Sequence, residues 1–192
     1  TADLELGSPL VAVLMTLHQG DSISYFETAL RSVETQEGTC GIRVYLACDG
    51  SLTTEQEIWL ELNRSRFFRV HHNAENIGLA RSLNHLIDLL GAEDFVFRMD
   101  ADDVSHPNRF ATQVAFLKAH PEIGLVGCQV QDIDETGRPK GVRRYPLSAQ
   151  AAKRSLTRLI PLLHPTFGFR REVLRDPRVR YPDAYLTEDL AF

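Results

Sequence analysis

At 192 residues the chain has room for one domain with a real core, and its 43% hydrophobic and 24% charged content is that of an ordinary globular protein. A formal net charge of −5 argues against broad electrostatic binding to nucleic acid, and no apolar run reaches the roughly 18 residues needed to cross a bilayer. Cys40, Cys48 and Cys128 are odd in number and lack metal-site spacing, and Thr1 to Pro9 carries Asp3 and Glu5 in place of a signal peptide's basic start. Reduced thiols in a cytoplasmic protein are the simplest account.

Leu10 to Leu17 is a continuous apolar run, as expected of a strand buried on both faces of a parallel sheet. It stops at His18-Gln19-Gly20, after which Asp21 or Ser22 can cap a helix that turns Phe26, Leu30 and Val33 to one face. A second strand, Ile42 to Cys48, ends in the turn Asp49-Gly50-Ser51, and Thr53 and Thr54 are candidate caps for a helix through about Asn63. Phe67 to His71 reads as a third strand. Asn76-Ile77-Gly78 then opens a helix whose Leu79, Leu83, Leu86, Ile87 and Leu90 form a core-facing stripe, with Gly91 as its terminator. A fourth strand, Phe95 to Met99, follows. Strands alternating with helices predict an α/β fold with a parallel sheet and right-handed crossovers. Beyond Pro107 the expected elements are a helix over Arg109–Ala119, a strand over Ile123–Val130 and a charged turn or hairpin tip over Asp132–Lys140. A helix over Ser148–Leu159, a short strand over Thr166–Phe169 and a helix start at Thr187 complete the series.

The fourth strand delivers Asp100, Asp102 and Asp103 onto one loop closed by His106-Pro107. Carboxylates this close repel one another. They are tolerable as a solvated acidic turn, or where a divalent cation that takes one or two carboxylates and a phosphate neutralises them. Position favours the second reading as much as the first, because ligands of open α/β sheets sit at the carboxyl ends of the strands. His18, Asp49, Asn76, Asp100 and Asp102 each follow a strand, so in a parallel sheet they share one edge. No GxGxxG follows the first strand and no Walker A sequence is present, which leaves a dinucleotide fold and a P-loop poorly supported.

The chain resembles the family 2 glycosyltransferases, inverting enzymes of the GT-A fold, a Rossmann-like, mostly parallel sheet flanked by helices, that use nucleotide-diphosphate sugars. The resemblance rests on Val13-Leu-Met-Thr-Leu-His-Gln-Gly20, Asp49-Gly-Ser51, Asn76-Ile-Gly-Leu-Ala-Arg-Ser-Leu-Asn84, Arg98-Met-Asp-Ala-Asp-Asp103, His164-Pro165 with Phe169-Arg-Arg-Glu172, and Glu188-Asp189. It implies one glycosyltransferase domain over 1–192, with a nucleotide-sugar half over about 9–105 and an acceptor-side half over about 106–192. Thr16 and His18 fall where the family lines the base, His18 standing where tyrosine is frequent. The turn after the second strand usually reads Asp-Asp-Gly-Ser. Here Cys48 replaces the first acid and leaves Asp49, which serves equally well as a turn former. Asn76 and Arg81 match the segment beside the nucleotide, Arg81 also reading as a surface arginine.

Asp100 and Asp102 match the family's DxD, which holds Mn²⁺ or Mg²⁺ against the diphosphate. Glu188-Asp189 matches the pair that supplies the catalytic base, assigned to Asp189 with Glu188 second; two acids completing a helix N-terminus explain the same residues. His164 would meet the donor phosphate or orient that acid, or else be a buried structural histidine. Arg170 and Arg171 would be divided between surface charge and phosphate contact. The implied partners are a nucleotide-sugar donor, with UDP favoured by the family, and a glycan or lipid-linked acceptor of the kind used in polysaccharide biosynthesis. Family members continue past Glu-Asp, so further C-terminal sequence is expected, and any peripheral contact with the cytoplasmic face of a membrane would come from it. Two rivals stand. A metal-dependent sugar-phosphate nucleotidyltransferase would carry a glycine-rich basic loop after the first strand, where Leu17-His-Gln-Gly20 has no lysine or arginine. A non-catalytic nucleotide-binding fragment has Cys48 and the early end of the chain as its support.

Overall fold

The computed structural model describes residues 8–38, 41–155 and 160–182. Four strands, β1 (Leu10–Leu17), β2 (Gly41–Cys48), β3 (Arg69–His72) and β4 (Phe95–Arg98), run parallel in the order β3-β2-β1-β4. Between them lie α1 (Ile23–Glu34), α2 (Thr54–Leu62) and α3 (Leu79–Asp88). The alternation within β1 explains its unbroken apolar sequence. Val11, Val13, Met15 and Leu17 pack into one core with Phe26, Leu30 and Val33 of α1, while Ala12 and Leu14 face Leu83, Leu86 and Ile87 of α3. A strand covered on both faces has no polar side to show.

The expected caps and stripes are only partly those observed. Thr53 starts α2 through a reciprocal pair, its Oγ1 accepting from the Gln56 N–H while Gln56 Oε1 accepts from the Thr53 N–H. Ser22 occupies the cap position of α1 without a side-chain bond. The third strand begins at Arg69, two residues later than its β-like sequence suggests, and α3 ends at Asp88, short of Gly91.

After α4 (Arg109–Ala119), whose buried face is Phe110, Gln113, Val114 and Leu117, the chain departs from a purely parallel arrangement. The strand expected over Ile123–Val130 is reduced to β5 (Leu125–Val126). The strand ends before Gly127, where a Cβ would lie 2.8 Å from Leu162 Cδ2. A separate antiparallel hairpin follows, β6 (Val130–Ile133) and β7 (Pro139–Arg143), its turn closed by Asp134 Oδ1 accepting from Thr136 N–H and Arg138 N–H. Helix α5 (Ala149–Ser155) is the described part of the predicted Ser148–Leu159 helix, residues 156–159 lying outside the described residues. The last strand, β8 (Gly168–Arg170), inserts antiparallel between β4 and β5, completing the order β3-β2-β1-β4-β8-β5. Gly168 is required there because a Cβ would stand 2.3 Å from the ring of Phe97, which stacks on Phe110 with ring centroids 4.8 Å apart. No described helix is long and apolar enough to cross a membrane.

Candidate active site

The carboxyl ends of β1, β2, β3 and β4 share one edge, and the chain on either side of the β1–β4 pair leaves in opposite directions. This is the switch point at which open α/β sheets form a ligand crevice. His18 follows β1, half exposed, with its Nδ1 2.9 Å from Asp21 Oδ1 and its N–H donating to Asp21 Oδ2 at 2.8 Å. The loop is tied down from α2. Gln56, 2% exposed, donates to both His18 O and Asp21 O at 2.9 Å. Thr16, near the end of β1, is partly buried beside Ala47 of β2.

At the end of β2, Cys48 points into the core and burial pushes its thiol up to about 12. It is an inert apolar filler at the position where the family pattern carries an acid. Asp49, 6% exposed, accepts from the N–H groups of Ile77 (2.9 Å) and Gly78 (3.0 Å) and from Asn73 Nδ2 (2.9 Å). Its carboxylate therefore fastens the loop before α3 and keeps little acceptor capacity for a ligand. Gly50 adopts φ +84°, and a Cβ there would lie 2.7 Å from the Asn76 nitrogen, so the two loops touch at a glycine. Asn76 and Arg81 are exposed on this same edge, Asn76 in the loop and Arg81 in the first turn of α3.

The acidic loop follows β4. Asp100 is 33% exposed and Asp102 is exposed. The guanidinium of Arg98, only 2% exposed, donates to Asp100 Oδ1 and to the Met99 carbonyl. A second arginine lies beneath. Arg109 donates to the Arg98 carbonyl (3.0 Å) and to Gln113 Oε1 (2.9 Å), and burial draws its guanidinium down to about 10. Protein crowding around the loop, together with the Asp100 and Asp102 carboxylates, raises the Asp103 carboxyl to about 6 although solvent reaches its side chain. The smaller part of that rise, which comes from Asp100 and Asp102, reflects a negative potential that would attract a cation. Asp102 has no hydrogen-bond partner among the described residues, and no three metal-ligating side chains converge among them. The donor set fits a hard cation that takes its other ligands from phosphate and water.

His164 is buried behind this loop. Its Nε2 lies 3.0 Å from Tyr181 Oη, and burial together with the positive charge of Arg98 pulls its imidazole down to about 3. It is neutral near pH 7 and is held by Tyr181, an arrangement suited to support more than to charge-pairing with phosphate. Arg170 and Arg171 lie at the far edge of the sheet. Arg170 donates to the Ile123 and His120 carbonyls beyond α4 (2.9 and 3.2 Å), and the Arg171 N–H bonds Asp94 O before β4. Of the two roles left open for them, surface charge and phosphate contact, the second has no support in their placement, because β8 runs antiparallel and carries them away from the acidic loop. Glu188 and Asp189 lie outside the described residues.

Sequence reasoning passed over Arg98, Gln56 and Asn73. A lone arginine ending an apolar strand just before acids was the available signal for Arg98. Gln56 and Asn73 act across 35 or more and 24 residues respectively; the Thr53-x-x-Gln56 spacing marks Gln56 only as a helix-cap partner, and nothing local marks Asn73.

These elements define the class as an open α/β domain, a mostly parallel sheet with a braced acidic loop at its switch point. The profile of glycosyl transferase family 2 matches residues 13–176, and the chain belongs to that family. It is 26% identical over 190 residues to the Escherichia coli UDP-Gal:alpha-D-GlcNAc-diphosphoundecaprenol beta-1,3-galactosyltransferase, covering 96% of this chain and 66% of the relative. TarS 1–349 of S. aureus, solved in complex with UDP, superposes with a TM-score of 0.73 at 18% identity, over 94% of this chain and 52% of that one. The mannosyltransferase PcManGT from Pyrobaculum calidifontis, solved with GDP-Man and Mn²⁺, gives 0.67 at 17% identity, over 94% and 49%. The fold is therefore the GT-A fold expected from the motifs. The chain spans 60 to 66% of the length of three of the curated relatives it matches, and less of others.

Proposed function

We propose that this domain carries out inverting transfer of a sugar from a nucleotide-diphosphate sugar, UDP favoured, to a glycan or lipid-linked acceptor. The observation that carries this reading is the acidic loop at the β1–β4 crevice, with Asp100 held by a buried arginine and Asp102 left open. Residues 9–105 form the donor side: the base lies along Thr16 and His18, Asp49 shapes the adjoining loop, and Asn76 and Arg81 flank the nucleotide. Asp102 and Asp100 would hold Mn²⁺ or Mg²⁺, which would supply positive charge to offset that of the departing diphosphate. Residues 106–192 form the acceptor side, where the buried His164 is held by Tyr181.

In the reaction the acceptor hydroxyl oxygen attacks the anomeric carbon as the bond from that carbon to the diphosphate oxygen breaks. The hydroxyl proton passes to the Asp189 carboxylate, with Glu188 the second candidate, and a single displacement inverts the anomeric centre. The preorganised Arg98–Asp100 pair keeps one carboxylate oxygen directed before donor arrives, so little reorganisation is left for the transition state. A relative acting on a diphosphoundecaprenol-linked acceptor supports the lipid-linked option.

A thermal-shift panel of UDP, GDP, dTDP and CDP, each with and without Mn²⁺, tests the donor side. Binding at a hundredfold excess over Kd adds about 2.7 kcal/mol of apparent stability. A metal-dependent shift with one nucleotide is expected; no shift with any of them would remove the reading. Release of UDP from a UDP-sugar, with no pyrophosphate from a nucleoside triphosphate, separates transfer from nucleotidyl transfer.

A further inference from the structure

Asn73 stands just past β3 and is 8% exposed. Its Nδ2 donates to Asp49 Oδ1 at 2.9 Å and to Ser82 Oγ at 2.8 Å, and its Oδ1 lies 3.1 Å from His85 Nδ1. With both amide hydrogens spent, the oxygen is the only group left to meet the imidazole, so His85 carries a proton on Nδ1. A flipped amide would set its oxygen against the Asp49 carboxylate. The orientation is thus imposed by the network.

What the network holds is the stretch between β3 and α3. Among the described residues no backbone–backbone hydrogen bond involves residues 74–77. The stretch is fixed instead by Asp49, which accepts from the Ile77 and Gly78 N–H groups, and by the close approach of Gly50 to Asn76. Asp49 is in turn fixed by Asn73. One amide therefore links the ends of β2 and β3 to the first turn of α3 through Asp49 and Ser82.

We infer that Asn73 is a positioning residue for donor binding: through Asp49 it fixes the loop that presents Asn76 and leads into Arg81. This rests on the donor-site reading proposed above. Without the Asn73 amide, Asp49 Oδ1 loses one of its two donors and the carboxylate gains rotational freedom. The Ile77 and Gly78 N–H groups can then turn to water. The loop has to be ordered again each time nucleotide binds, and that cost appears in affinity.

Ser82 provides the contrast, since it shares the amide, is fully buried and makes no bond to Asp49. The experiment is calorimetric titration of UDP with Mn²⁺ into the wild type, Asn73→Ala, Ser82→Ala, His85→Ala and His85→Gln, with melting temperatures and donor kinetics alongside. Asn73→Ala should raise Kd and donor KM about tenfold with kcat within about twofold. Ser82→Ala should lower the melting temperature and leave Kd within about twofold. His85→Ala, at an exposed position, should raise Kd about threefold, and His85→Gln, which can still donate to Asn73 Oδ1, should restore it. An unchanged Kd in Asn73→Ala overturns the inference, as does an equal rise in Ser82→Ala, which would mean general loosening. If Asn73→Ala does not fold, an unchanged Kd in His85→Ala overturns it. Absence of nucleotide binding by the wild type would remove the donor-site reading and this inference together. Wild-type binding that is indifferent to Asn73 and His85 removes this inference alone.

Discussion

The two halves of the chain spend their polar residues differently. Before Pro107 several polar groups at the sheet edge are held by other protein groups, Asp49 by two backbone N–H groups and Asn73, the His18 loop by Gln56 and Asp100 by Arg98, while Asp102 stays open. After it, the hairpin β6–β7 leaves all five residues of β7 exposed and carries a surface pair, Arg143 with Asp132. Beyond that hairpin, the described contacts with the first half centre on β8, which pairs with β4, and on the Tyr181 backbone, which exchanges hydrogen bonds with the Asn84 side chain. The lesson is one of preorganisation. The half proposed to hold the donor is built to keep its geometry without ligand, and the other half is anchored to it at a few points.

The largest expected effects come at the chemistry. Asp189→Asn should lower transfer by about 10²- to 10⁴-fold, the usual worth of a positioned base, while donor affinity stays near wild type. Full turnover in a quenched-flow or coupled assay would exclude Asp189 as the base. Asp102→Ala should abolish Mn²⁺-dependent UDP binding; unchanged titration heat would show that the acidic loop is not the metal site.

Next come the anchors between the halves. Phe97→Ala removes a fully buried ring that stacks on Phe110 and lies against Gly168, and should cost about 3–5 kcal/mol in denaturant unfolding. A cost comparable to that of an exposed residue would mean that β8 is not held there.

His164 predicts a smaller, pH-dependent effect. Its folded-state value, about 3, lies below the unfolded value near 6.5, so below pH 6.5 the unfolded chain takes up a proton that the folded one refuses. Stability is complete above about pH 6.5 and falls as the pH drops toward 3, by about 2 kcal/mol at pH 5. His164→Gln should flatten that part of the curve, and parallel curves for the two proteins would refute the neutral buried imidazole. Smallest of all, Arg143→Ala should leave the melting temperature unchanged, because an exposed ion pair between mobile side chains contributes little. A clear drop would show that the hairpin is more firmly built than its exposure implies.

Local patterns carried much of the donor half. The unbroken run of β1, the leucine stripe of α3, the Thr53 cap and the loop acids all rest on interactions within a few residues, where periodicity and turn chemistry are legible. The ordered motifs sufficed for the family, which matches over residues 13–176. The hairpin tip at Asp134–Gly137 could be placed for the same reason, since an Asx turn is closed by its own neighbours.

What the sequence did not contain in readable form is long-range pairing. That β8 enters antiparallel beside β4, and so removes Arg170 and Arg171 from the acidic edge, depends on Gly168 meeting Phe97, which is 71 residues earlier. That Asp49 fastens a loop 28 residues away, and that Arg98 turns to Asp100 while Arg109 supports its carbonyl, follow from which groups burial leaves without water. A buried polar atom must find a partner within the fold, and only the assembled chain decides which one stands within reach.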